Sequence, residues 1–189
     1  HQTFISVHPM NWNPFKKEEE PELDPLADLI LANLKPGYIL DYDLKTWKVD
    51  AHHTIDYEGD KADEWVITCA DETIYLERED DDEPSLGISR KIRLSDLDGD
   101  IRIHMKNNDD PPDEITHNGI TYYADSSSAG QFYENGEGAG QEFIVWDYED
   151  DSEKRTLSIE QWGEDEFEAC VGEVVEEYEF SNILPAGGS

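Results

Sequence analysis

Basic residues are scarce in this chain. Fourteen Lys and Arg stand against 47 Asp and Glu in 189 residues, a formal net charge of −33. Phosphate contacts need Lys and Arg, so nucleic-acid binding is excluded as a function class. Cysteine is nearly missing as well. Cys69 and Cys170 are the only two, both in apolar, strand-like surroundings with no Cys nearby. That leaves no zinc or iron spacing. Two buried free thiols in a reducing compartment are expected, with a single long-range disulfide as the alternative. No run is long and apolar enough to span a bilayer, and no signal-peptide layout is present. The expectation is therefore a cytoplasmic protein with no stable membrane insertion.

What is present is acid and aromatics. At 37% hydrophobic and 11% aromatic residues, the chain holds enough apolar surface for a core. The carboxylates are spread over nearly every segment, which fits an acidic, solvated surface. Salt adaptation, a surface for cations or a cationic partner, and nucleic-acid mimicry are the competing readings. A net charge this far from zero aids solubility but repels itself in the compact state.

Period-2 alternation dominates from Gly37 onward and predicts strands. The clearest run is 141–172, read as strand, turn, strand, turn, strand. Ahead of it, strands are expected at 38–42, 46–57, 63–69, 73–79, 86–94 and 101–105. Asn118-Gly119 marks a hairpin, and 120–125 and 129–134 flank a loop of Ser126, Ser127 and Ser128. The last strands are placed at 167–171 and 174–180, before an irregular exit at 181–185. One amphipathic helix is predicted over 24–34, where Asp24 caps, Pro25 starts, and Leu26, Leu29, Ile30 and Leu34 recur at helical spacing.

Asp63-Glu64-Trp65-Val66-Ile67 resembles Gln141-Glu142-Phe143-Ile144-Val145, and Thr73–Glu77 resembles Thr156–Glu160. With Gly37 and Gly119 as the matching starts, this suggests a duplicated β-unit; chance likeness among short amphipathic strands is the alternative. The predicted fold is all-β and mainly antiparallel, with one short N-terminal helix, as a pseudo-duplicated β-sandwich or half-barrels. Residues 1–23 form a tail, 24–110 the helix and first β-unit, 111–185 the second β-unit, and 186–189 a further tail. Residues 1–9 are expected to precede a native start at Met10.

Several segments together resemble the bacterial family called domain of unknown function 4178. They are Leu34-Lys35-Pro36-Gly37, Trp47-Lys48-Val49, Asp63-Glu64-Trp65, Tyr75-Leu76-Glu77, Gly140-Gln141-Glu142-Phe143, Trp146-Asp147-Tyr148, Leu157–Trp162 and Val171-Gly172. The resemblance covers about Leu34 to Pro185. It implies a mostly β domain with no assigned reaction and a link to phage-shock-type membrane-stress proteins.

Catalytic constellations are thin. Carboxylate pairs such as Glu64 with Glu77, or Glu142 with Glu160, fall on neighbouring strands, but 47 acidic residues make chance pairs common. Asp96-Leu97-Asp98-Gly99-Asp100 looks like part of a calcium loop, yet its Gly comes too early and Asn107 stands in place of the closing Glu. His52 and His53 are adjacent and face opposite sides of a strand, so one can pair with a carboxylate. No catalytic residue, metal ligand or cofactor is expected. A protein partner is expected instead, at surface aromatics drawn from Trp65, Tyr122, Tyr133, Trp146 and Trp162. The reading is a non-enzymatic binding or assembly module; a carboxylate-based hydrolase and a cation or polyamine binder are the alternatives. The 79–84 loop and the 126–140 region, where the halves differ, are the favoured places for function.

Overall fold

In the computed structural model, residues 29–187 are described. The tail at 1–23, residues 24–28 of the helix expected at 24–34, and the last two residues lie outside them. Leu31–Asn33 form a single 3-10 turn, and Leu31 and Leu34 are buried.

Among the described residues, eleven strands build one antiparallel sheet. β1 (Ile39–Tyr42), β2 (Lys45–Tyr57), β3 (Asp60–Cys69), β4 (Glu72–Glu79) and β5 (Ser85–Ile92) follow one another as neighbours. β6 (Glu114–His117), β7 (Ile120–Tyr133), β8 (Gln141–Glu149), β9 (Arg155–Gly163) and β10 (Glu166–Val175) do the same in the second half. β5 pairs with β10, and Thr54–Asp56 of β2 pairs with Gln131–Tyr133 of β7. Eight strands therefore close a ring, in the order β2, β3, β4, β5, β10, β9, β8, β7. β11 (Phe180–Leu184) returns to pair with β1.

The tight turns follow from local chemistry. Asn118 and Gly119 both have positive φ, as a two-residue hairpin turn requires. Asp43 and Leu44 join β1 to β2 with φ of 51° and 61°. The starts matched in the sequence are not equivalent: Gly37 precedes β1, whereas Gly119 lies in the turn after β6.

Four expectations are corrected. Residues 101–105 are helical, not extended: α1 spans Ile101–Asn108, capped by the Asp100 side chain, which accepts from the Ile103 N–H. Ile101, Ile103 and Met105 mimic strand alternation. Only Ile101 and Met105, one turn apart, are buried with Leu97, while Ile103 is 54% exposed. The serine segment 126–128 is not a loop but the middle of β7. The exit at 181–185 is mostly strand β11, and β10 runs unbroken through Gly172, where a Cβ would lie 1.8 Å from the Ile88 carbonyl oxygen.

Two apolar cores lie on the outer face of the ring. In the first, Trp47, Val49, Trp65, Ile67, Ile74 and Leu76 pack under Leu31, Leu34, Leu40, Tyr42 and Phe180. The Trp65 Nε1–H donates to the Leu34 carbonyl at 3.0 Å, which ties the 3-10 turn onto the sheet. In the second, Tyr122, Tyr148, Leu157, Ile159 and Ala169 pack under Leu97, Ile101, Met105 and Ile115.

Both long strands change faces. Pairing skips one residue at Asp50 in β2 and one at Asp125 in β7. An extra residue shifts the period-2 alternation by one position. Before each bulge the strand feeds an outer core, through Trp47 and Val49 or through Tyr122. Beyond it, Ile55 and Tyr57, or Ser126, Ser128 and Phe132, turn into the ring.

Candidate functional site

The ring surrounds a half-open cavity of about 1450 Å³. Alternation fills it with residues between the core positions. Glu64 lies between Asp63 and the buried Trp65, Tyr75 and Glu77 flank the buried Leu76, and Glu160 follows the buried Ile159. Part of the lining is apolar and aromatic: Phe143 stacks on Trp162 with centroids 4.5 Å apart, and Tyr57 meets Phe143 edge-on at 6.0 Å. Gly130 allows this packing, because a Cβ there would come within 2.7 Å of the Phe143 ring.

The rest of the lining is acidic. Glu64 of β3 and Glu77 of β4 are directly opposite each other in the ladder. Glu160 of β9 and Glu168 of β10 form a second opposed pair. Like charges placed so are destabilising, and each strand could turn such residues to water instead. The Tyr57 hydroxyl donates to Glu77 Oε1 at 3.0 Å. Glu64 makes no hydrogen bond or ion pair among the described residues; the positive charge acting on it is Lys91. Lys91 Nζ sits 3.7 Å from Glu168 Oε2 and 5.1 Å above the centre of the Tyr75 ring.

Burial disfavours ionisation of these carboxyls, and their neighbours add to the effect. Removal from water, then the charge of Glu64, pushes Glu77 up to about 8. Glu64 rises to about 7, chiefly by removal from water, with Glu168 adding and Lys91 opposing. Glu160 rises to about 7 by burial, Glu64 and Glu168. Asp147 rises to about 6 by burial, Asp125 and Glu79. The Cys170 thiol, in the same lining, is pushed up to about 12 by burial and by Glu160, which makes it a poor nucleophile. The Trp162 Nε1–H is close enough to ease the charge on Glu160, yet it has no well-formed hydrogen bond among the described residues.

The five aromatics named from the sequence do not form one surface. Trp65 and Tyr122 are buried in separate outer cores, and Trp146 packs half-buried against the second. Tyr133 is half-buried beside Gly140. Trp162 alone lines the cavity. Of the carboxylate pairs, Glu64 and Glu77 meet as expected, but Glu142 is exposed on the opposite face from Glu160 and accepts from Gln131. His52 pairs with Asp63 at 2.7 Å, and His53 Nδ1 accepts from the Asn135 N–H on the other side of the strand. Asp147, Glu168, Lys91 and Tyr57 carry no motif that singles them out. The ring gathers them; no short spacing does.

Among the described residues, no group of three or more His, Cys, Asp and Glu is placed to hold a metal ion. Nor is any described helix long and apolar enough to cross a membrane.

Comparison with known proteins gives a family and no activity. The model of a family described as "Domain of unknown function (DUF4178)" matches residues 35–177. A curated relative, an "Uncharacterized protein" of Aquifex aeolicus (strain VF5), is 28% identical over 171 residues, covering 90% of this chain and 94% of its own. No solved structure matches.

Proposed function

The chain belongs to that family, whose description assigns no reaction, and we propose that it is a non-enzymatic binding module whose ring interior takes up a positively charged ligand. The carrying observation is the acidic lining: Glu64, Glu77, Asp147 and Glu160 face one cavity. Burying carboxylates without partners costs stability unless something compensates. A cation supplies what the lining lacks, and the Phe143, Trp162 and Tyr57 rings offer faces that attract one.

This reading replaces a surface aromatic patch with an internal site, so the partner is a small cation in place of a protein. It also treats the halves as copies of one five-strand unit. The matching strand order and the matching bulges at Asp50 and Asp125 support that. The test is tryptophan fluorescence and calorimetry of the whole chain against a panel of organic and inorganic cations near neutral pH. Saturable binding by at least one cation is expected. Absence of heat and of any spectral change up to millimolar concentrations overturns the proposal.

One observation favours a second reading, a carboxylate-based hydrolase. Carboxyls held protonated near neutral pH, such as Glu77, suit general acids. If turnover of a glycoside or ester substrate is found and is lost in Glu77→Gln, the enzyme reading displaces the binding one.

A further inference from the structure

We propose that, whatever the interior binds, the β2–β7 contact is a latch in the ring of strands, released when His53 takes up a proton. The two seams between the halves are unequal, and His53 clasps the weaker one.

Along β5 and β10, seven residue pairs run from Ala169↔Ile92 to Val175↔Leu86, and the backbones lie so close that Gly172 has no room for a Cβ. Along β2 and β7 there are three pairs, Thr54↔Tyr133, Ile55↔Phe132 and Asp56↔Gln131. Each strand reaches that short contact past its own bulge, at Asp50 and at Asp125. A bulge bends a strand and interrupts its ladder, so both sides of the short seam carry a place to flex. The ring opens there at least cost.

The clasp lies just beyond the last pair. The 3-10 turn Glu134–Gly136 follows β7, and its Asn135 N–H donates to His53 Nδ1 of β2 at 2.9 Å. The imidazole also rests against Phe132 of β7, with centroids 5.0 Å apart. Accepting that bond takes the lone pair of Nδ1, which puts the single imidazole proton on Nε2. A second proton, on Nδ1, sets N–H against N–H. Clasp and charge therefore exclude each other.

The surroundings of His53 give the charged form somewhere to go. Burial opposes its charge, and so does His52, which faces the other side of β2 and pairs with Asp63. Glu134 in the turn favours the charge, and Glu64 stands directly opposite on β3. From β7 it meets the Phe132 ring, and Tyr133 is the next residue along. A charged His53 turns toward the carboxylates and leaves the Asn135 N–H behind. Ile55 and Tyr57 of one half still pack with Phe132 and Phe143 of the other, so opening is a minority event that protonation multiplies. Opening gains nothing from His53 well above its ordinary value of 6.5 and rises as pH falls below it, by at most ~10-fold one unit lower. Glu64, Glu77 and Glu160 pull the other way, because acid neutralises them inside the closed ring. The His53 effect is therefore read against a variant that keeps all three.

The experiment is hydrogen–deuterium exchange of the whole chain at about pH 7.5 and about pH 5.5, followed by mass spectrometry. Residues 131–135 report the latch; 86–92 and 169–175 report the long seam. In His53→Asn the amide oxygen replaces Nδ1 as acceptor and does not titrate. Exchange at 131–135 in wild type, divided by that in His53→Asn, is expected to be near 1 at the higher pH and ~3–10-fold at the lower, with no such change at the long seam. His53→Phe, which has no acceptor, is expected to exchange ~5-fold faster than wild type at the higher pH.

A ratio that is the same at both pH values overturns the latch. Equal acceleration at both seams also overturns it, since the whole fold is then loosening. So does a His53→Phe variant that exchanges no faster than wild type. Circular dichroism establishes that each variant is folded. Should one not fold, wild type decides: the His53 imidazole titration by NMR and the rise of exchange at 131–135 relative to the long seam are expected to share a midpoint, and separate midpoints overturn the latch.

Discussion

Replacing Glu77 by Gln should stabilise this protein at alkaline pH and leave it unchanged in acid. Folding moves the Glu77 carboxyl from 4.5 to about 8, mainly by taking it out of water beside Glu64. Between those values the folded chain holds a proton that the unfolded chain has released. Stability therefore falls as pH rises through the window and is fully present only below it. At about 1.4 kcal/mol per pH unit, the full shift corresponds to ~5 kcal/mol. Water in the cavity and coupling to Glu64 reduce that, so the expected gain is about 2–3 kcal/mol for Glu77→Gln near pH 9. The amide oxygen still accepts from the Tyr57 hydroxyl, so that contact survives. Urea unfolding, followed by tryptophan fluorescence from about pH 4 to pH 9, reads the difference. The many surface carboxylates titrate alike in both proteins and cancel. A difference that stays constant with pH, or a loss of stability at alkaline pH, refutes the claim that this carboxyl is buried at a cost.

Leu44 occupies the second position of the β1–β2 turn with φ of 61° and is fully exposed, so Leu44→Gly should raise stability by about 1 kcal/mol, and a lower melting temperature would show the turn to be unstrained. Gly130→Ala puts a Cβ within 2.7 Å of the Phe143 ring, so it should cost about 1–3 kcal/mol and alter Trp162 fluorescence; a neutral result would mean the aromatic wall is loose. With a net charge of −33, thermal stability should rise with KCl and level off near ~1 M, where screening reaches ~3 Å; a continued climb would identify a salt-adapted surface in place of simple acidic solvation.

Most strands were legible because alternation survives in a half-buried ladder. Trp65, Ile67, Ile74 and Leu76 mark one face in the sequence and occupy one core in the structure. The ring was not legible. Its closing contact is three residue pairs between β2 and β7, too short to leave a pattern. The bulges at Asp50 and Asp125 are single polar residues in polar-apolar runs, and nothing local distinguishes them from ordinary outward positions. The site was half legible for the same reason. Glu64 and Glu77 were placed on adjacent strands correctly, but a carboxylate facing a chamber and one facing solvent read alike. Glu142 shows the ambiguity: it matches Glu64 in the repeat, yet it faces outward.

The position of the cores bears on what the chamber is for. A closed ring of eight strands is normally filled by its own side chains. Here the two larger apolar clusters lie outside it, under the 3-10 turn and β11 on one side and α1 on the other, and a smaller one around Ile55, Phe143 and Val145 fills part of the interior. Most of the hydrophobic stabilisation of the fold therefore does not depend on what occupies the acidic part of the ring. That frees the interior to hold residues that destabilise it, and the interior does hold them: two opposed carboxylate pairs and a buried indole N–H without a good acceptor. Local choices that oppose folding, gathered at one place and absent from both cores, are the physical mark of a site kept for something other than structure.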